Sequence, residues 1–245
     1  MNYSVYRMKP KEALIYFSAY SLLAGFLAFL FYDSLPAFFL LLPAGGIYLK
    51  KKRGELIGQR KKELKKEFRD LILAVSTALS AGFSIENSFR EAYKDIRGLY
   101  GENALMCREL EGFFRQIEIG VSLEKVLFDF AERAGIDEIR DFAEIFALAK
   151  RSGGDFSEMI AKTVSILSGQ EETEREIEVL LSGKKLEQKI MGVIPLVIIL
   201  YLRFSTGGFL EVLYHNITGV IIMTVCLVIY VLSYLLAERI AAISV

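Results

Sequence analysis

His215 is the only histidine in the 245-residue chain, so a zinc site built on paired imidazoles is excluded. Lying between two apolar runs, it reads as a solvated loop residue. No Gly-x-x-x-x-Gly-Lys-Ser/Thr stretch occurs. The nearest phrase, LSGKKL from Leu181, lacks the first glycine and with it the backbone cradle for phosphates. GFS at Gly82 and GVS at Gly120 each hold a serine, but neither extends to a Gly-x-Ser-x-Gly elbow, and a nucleophilic serine would need a base that the chain does not supply as histidine. Cys107 falls in a polar helix-forming stretch and Cys226 inside an apolar run, so they belong to different phases, and a reducing compartment suits both. The apolar runs carry no Asp, Glu or Lys, which leaves Arg203 as the one charge an ion or proton path could use. These residues are expected to make no catalyst and to hold no cofactor or metal.

What the distinctive residues can do is stop and start helices. Three related phrases recur: GFSIENSF from Gly82, GVSLEKVL from Gly120 and GGDFSEMI from Gly153. Gly82, Gly120 and Gly154 can take the left-handed backbone that closes one helix, and Ser84, Ser122 and Asp155 can cap the free amides of the next. Asp155 and Glu158 have capping-box spacing, while Glu86 and Glu124 sit in first turns, where the helix dipole favours a carboxylate. The junctions predict helices over 59–81, 84–97, 103–119, 122–134 and 137–151, and a sixth from Asp155 running past Arg175. Each carries an apolar stripe at helical spacing, such as Phe68, Leu71, Ile72, Val75 and Leu79 in the first. Six two-sided helices with short loops make a bundle. Phe128 and Tyr100 lie off the stripes and read as ordinary surface aromatics.

Outside this stretch the chain is apolar. Residues 13–32 and 216–237 contain no charge, and each run is long enough to cross a hydrocarbon core of about 30 Å. The first lacks a small-residue cleavage site and reads as a retained anchor. A shorter run, 34–49, would complete a membrane hairpin. Residues 190–202 are too short to cross alone and extend to Leu210 only if Arg203 snorkels or faces other helices. Pro195 is expected to kink that segment. Lys and Arg crowd the flanks of the hairpin but not its turn, which places the N-terminus and the collar in the cytoplasm, and the last span of this multi-pass membrane protein is expected to return the C-terminus with Arg239 to the same side.

The zero net charge is a sum of opposed regions. Lys50 to Lys66 holds nine Lys or Arg against two Glu, whereas Glu67 to Lys189 holds 24 acids against 16 bases. The basic collar suits anionic lipid headgroups, and the acidic body argues against nucleic acid. The segment 171–189 reads as a stalk. Its Glu171, Glu174 and Glu178, together with Glu118, form either a partner surface or a solvated helix face. Lys185, Lys189 and Pro195 mark where the stalk meets the membrane. The expected fold is all-α: a membrane hairpin with its collar over 1–53, a cytosolic six-helix bundle over 54–181, and a stalk end with a second transmembrane pair over 182–245.

The order LSAGFSIENSF, GVSLEKVLFDFAERAG, AKRSGGDFSEMI, a long charged helix and KLEQKIMGVIPLVI resembles the type II secretion system F family, the GspF/PilC superfamily. Paired spans around a single bundle look most like its tight-adherence branch, TadB and TadC. The resemblance implies a platform protein of the inner membrane that presents its bundle to a hexameric secretion ATPase and helps pass pilin or pseudopilin subunits from the bilayer into a filament. Relatives carry two bundles where this chain has one, which implies that an identical or sister subunit supplies the second. A membrane-anchored scaffold or sensor would share the same bundle and spans, and stands as the alternative.

Overall fold

Apolar residues three and four apart among charged ones build the short, two-sided helices of the middle of the chain, and unbroken apolar runs build the long helices near its ends. The structure, a computed structural model, describes residues 3–4, 8, 10–152, 156–205, 211–214 and 216–242. No strand occurs among the described residues, and the protein is an all-α membrane protein. It divides into two units, Met1–Arg7 with Arg53–Glu171, and Met8–Lys52 with Glu172–Val245.

In the first unit, α3 (Gly45–Ser80) enters at Arg53 and is followed by α4 (Ile85–Tyr100), α5 (Leu105–Glu118), α6 (Leu123–Ala134) and α7 (Asp137–Ser152). The first turns of α8 (Phe156–Ser205) supply a sixth helix. Phe68 of α3 sits at the centre. Its ring lies 5.4 Å from Phe142 of α7 and 6.2 Å from Phe130 of α6, and Phe130 in turn meets Phe113 of α5 at 5.4 Å. Phe146 continues the aromatic row to Phe156 of α8 at 5.2 Å, and Phe89, Ala92 and Ile96 bring in the apolar face of α4. Each fully buried large side chain is worth roughly 1.5–3 kcal/mol of transfer free energy, so the helices hold together through one shared core rather than in pairs.

The second unit contains α1 (Pro10–Tyr32), α2 (Leu35–Leu41), a 3-10 turn (Leu42–Ala44), the start of α3, the larger part of α8, α9 (Glu211–Tyr214) and α10 (Ile217–Ala242). Among the described residues, three helices are long and apolar enough to cross a membrane: Pro10–Tyr32, the apolar part of Phe156–Ser205, and Ile217–Ile240. The run 34–49 is not one of them. Pro36 opens α2 and Pro43 enters the 3-10 turn, where a missing amide and a bulky ring break the ladder, so α2 has seven residues and a length of only about 10 Å. The next helix packs closely: a Cβ on Gly45 would come within 2.9 Å of the Tyr20 ring, which stacks on Tyr48 at 5.5 Å while its hydroxyl donates to the Leu41 carbonyl (2.7 Å).

Helix α8 runs unbroken for 50 residues with Pro195 inside it. Proline leaves the Met191 carbonyl without its usual amide. One residue on, Tyr230 of α10 donates to the Gly192 carbonyl (2.8 Å), and the Tyr234 ring lies 3.6 Å from where a Gly192 Cβ would stand. A small residue lets the two membrane helices approach, as expected where lipid removes the hydrophobic drive between them. Val193, Ile194, Val197 and Ile198 of α8 and Ile221, Ile222, Val225 and Ile229 of α10 are exposed, a surface suited to acyl chains.

Candidate functional site

The Gly82 and Gly120 junctions lie at the same end of the bundle. Arg90, near the start of α4, pairs with Glu118 at the end of α5 (3.5 Å) and covers the Phe114 ring, which brings the Gly82–Ser84 and Gly120–Ser122 turns side by side. Gly82 and Gly120 have φ of +89° and +86°, where a side chain would be strained. Ser122 accepts the Lys125 amide (3.4 Å) as an N-cap. Ser84 holds the N-cap position of α4 without a side-chain hydrogen bond, and its carbonyl instead accepts both the amide and the hydroxyl of Ser88. Gly154 and Asp155 lie outside the described residues, as does His215.

The other end is held by carboxylates. Glu67 of α3 is 2% exposed and accepts the Met106 amide at 2.6 Å. The N-cap of α5 is Ala104, which has no oxygen to offer, so a side chain from another helix does the capping. Burial pushes the Glu67 carboxyl above its ordinary range, with Glu63 adding to the rise and the Met106 and Leu105 amides opposing it. Glu109 of α5, 6% exposed, accepts from Arg133 of α6 (2.6 Å) and from the hydroxyl of Tyr3 (2.9 Å). The Tyr3 amide donates to the Arg133 carbonyl (3.1 Å), and the Arg60 guanidinium lies 5.2 Å from the Tyr3 ring centroid. Lys61 donates to the Gly135 carbonyl (2.7 Å). Tyr100 is half-buried, donates to Asp70 and lies under Lys66, so it is a bonded residue of this end and not an ordinary surface aromatic.

Sequence periodicity could have found both buried carboxylates. Glu67 stands three residues after Leu64 and four before Leu71, and Glu109 three after Met106 and four before Phe113, so each occupies the apolar stripe of its helix. No such signal marks Tyr3.

The acidic residues do not converge. Glu171 pairs with Arg69 of α3 (2.5 Å) and Glu118 with Arg90 of α4, while Glu174 and Glu178 are exposed on α8. Farther along α8, Lys185 is half-buried, and Lys189 and Pro195 are exposed. Arg203 is held: it donates to the Asp33 carboxylate and the Phe29 carbonyl, and its guanidinium lies 3.7 Å from the Phe29 ring centroid. Asp33 ends α1 with a φ of +45°, and Tyr214 donates to the Leu30 carbonyl beside it (2.7 Å).

Chemically, these groups stabilise rather than activate. Burial pushes the Cys107 thiol up, away from the thiolate a nucleophile needs, and burial together with Glu109 pushes the Tyr3 hydroxyl up. Carboxylates spent on amides, arginines and tyrosine hydroxyls within one aromatic core make the first unit a bundle whose polar groups fix helix positions, and the second unit supplies the long apolar helices of a membrane protein. The model of the family described as type II secretion system (T2SS), protein F, matches residues 71–202, from the last third of α3 to near the end of α8, and the chain belongs to that family. It is a family of membrane platform proteins of secretion and pilus-assembly machines. No curated protein and no solved structure matches the chain.

Proposed function

We propose that the protein is the membrane platform of a type IV pilus-like machine of the tight-adherence (Flp) kind, or of a type II secretion machine. It sits in the cytoplasmic (inner) membrane with both chain ends in the cytoplasm, couples a hexameric secretion ATPase to the insertion of pilin or pseudopilin, and works beside an identical or sister platform subunit. The observation that carries this reading is the family match over 71–202, which takes in most of the bundle and the helix leading to the membrane segment. In this topology the chain returns after α1 through α2, the 3-10 turn and the first turns of α3 in series, not through one spanning helix, and the collar from Lys50 meets anionic lipid.

The test is crosslinking in intact cells from a photoreactive residue at Glu118 or Glu174. We expect capture of a secretion ATPase or a second platform subunit. Capture of neither, with the protein inserted and its native partners expressed, would move the reading to a membrane-anchored scaffold.

In this role α8 is the mechanical link. A helix of 50 residues is about 75 Å long at 1.5 Å per residue, and its segment 182–187 is exposed or half-buried. Inserting two glycines after Ser182 interrupts the helix and should abolish filament assembly or secretion while membrane insertion stays normal. Assembly at the wild-type level in that variant would remove the link.

A further inference from the structure

A groove of about 450 Å³ runs between α8 and α10 within the second unit, walled by Gln188, Gly192 and Pro195 on one helix and by Cys226, Ser233 and Ala237 on the other. Small side chains open it. Gly192 has no side chain, and the Tyr230 hydroxyl that could enter is held by the Gly192 carbonyl (2.8 Å). Met223 and Leu227 of α10 are buried with Leu30 and Phe31 of α1, whereas Pro195, Cys226 and Ser233 are exposed, so the groove lies open.

Its two ends differ in charge. Lys185, Gln188, Gly192 and Pro195 recur at helical spacing on one face of α8, so the groove leads up to Lys185, and Lys189 stands one turn along from that lysine. The two cations repel each other, and the carboxylates beside them are already engaged, Glu187 with Lys184 (3.0 Å) and Glu238 with Lys51. An anion between Lys185 and Lys189 would relieve that repulsion. At the other end Pro195, Cys226 and Ile229 carry no charge. Length then decides the occupant. From Ala237 to Cys226 the groove is about 16 Å long at 1.5 Å per residue, which is one half of a hydrocarbon core of about 30 Å. A partner's membrane-spanning helix needs twice that length, while an acyl chain of one leaflet fits.

We propose that the α8–α10 groove is a site for one anionic phospholipid. Its phosphate lies between Lys185 and Lys189, the half-buried Gln188 amide donates to an ester oxygen below, and an acyl chain follows the groove to Pro195 and Cys226. Basic residues at the mouth of a cleft between membrane helices are the arrangement that holds such headgroups. This lipid differs from those that solvate the exposed valines and isoleucines of both helices, because it is selected by headgroup charge and fills a defined gap.

The experiment uses the full chain in nanodiscs of phosphatidylcholine doped with phosphatidylglycerol that carries a diazirine midway along one acyl chain, irradiated and mapped by peptide mass spectrometry. Labelling is expected to saturate, to concentrate on residues 191–195 and 226–233, and to fall at least about tenfold with excess unlabelled phosphatidylglycerol but not with excess phosphatidylcholine. Replacing both lysines, Lys185→Gln with Lys189→Gln, removes surface charge and no packing, and should weaken the apparent affinity about 10- to 30-fold with the helical signal unchanged. Cys226→Phe, which fills the deep end, should strip the label from the groove while the exposed Ile221 keeps its background labelling. No label in the groove, even labelling of all exposed apolar residues, equal competition by phosphatidylcholine, or unchanged affinity in the double lysine variant would each overturn the proposal.

Discussion

Replacing Glu67 with Ala should destabilise the bundle by about 2–4 kcal/mol, more than a charged residue on an exposed helix face would cost. Three losses combine. The Met106 amide, now bonded at 2.6 Å, is left without a partner in a buried place, which costs about 1–3 kcal/mol. The N-terminus of α5 loses its facing negative charge, and the removed methylene and carboxylate leave a gap at a buried position. Glu67→Gln keeps an accepting oxygen and should cost only about 1 kcal/mol. Urea unfolding of the nanodisc-held protein, followed by helical signal, reads both values, and equal losses in the two variants would remove the capping role.

The same residue sets a pH dependence. Because burial raises the Glu67 carboxyl, the folded state binds more protons than the unfolded state between the ordinary carboxylate value and the raised one. Its contribution is therefore fully present below the unfolded value and lost as pH rises through the folded one. Glu138 works the other way. Burial pushes its carboxyl up, but the hydrogen bond from Lys65, its own backbone amide and the Lys65 charge outweigh that, so its stabilisation is present above its unfolded value and lost as pH falls through the folded one. Glu67→Gln should leave only the second slope, so that mild acidification weakens the variant more than the parent.

Phe68→Ala should be the more damaging single change, at about 3–5 kcal/mol. Phe68 is 1% exposed and touches the rings of both Phe130 and Phe142, so its removal opens a hole that α3, α6 and α7 would have to collapse around together. Against a total stability of about 5–15 kcal/mol, that removes at least about a fifth of the margin. Phe68→Leu refills most of the volume and should cost less than about 2 kcal/mol. If the Ala variant keeps the parental urea midpoint, the core is not organised around this ring.

The helices of the bundle were legible because each carries one apolar stripe and ends at a glycine; the ranges read from periodicity lie within a few residues of α4 to α7. What escaped were interactions between residues distant in sequence. Glu67 caps a helix that begins 38 residues later, and Glu109 joins a tyrosine 106 residues earlier to an arginine 24 residues later. Local spacing carries no information about which helix end faces which carboxylate. Helix α3 also begins at Gly45, well before the expected residue 59, because the collar's lysines and arginines are good helix formers whose charges need only water or partners such as Glu238. The break at Pro43 is the opposite case, a local rule whose weight in an apolar run depends on whether neighbouring groups replace the missing bond.

Arg203 and Asp33 lie at the ends of α8 and α1 away from the Lys51–Glu238 pair, and they bond to each other. A voltage across a membrane does work of about 2.3 kcal/mol per 100 mV on each elementary charge carried through it. A cation and an anion that travel together cancel that work. Paired, Arg203 and Asp33 present no net charge for such a voltage to act on.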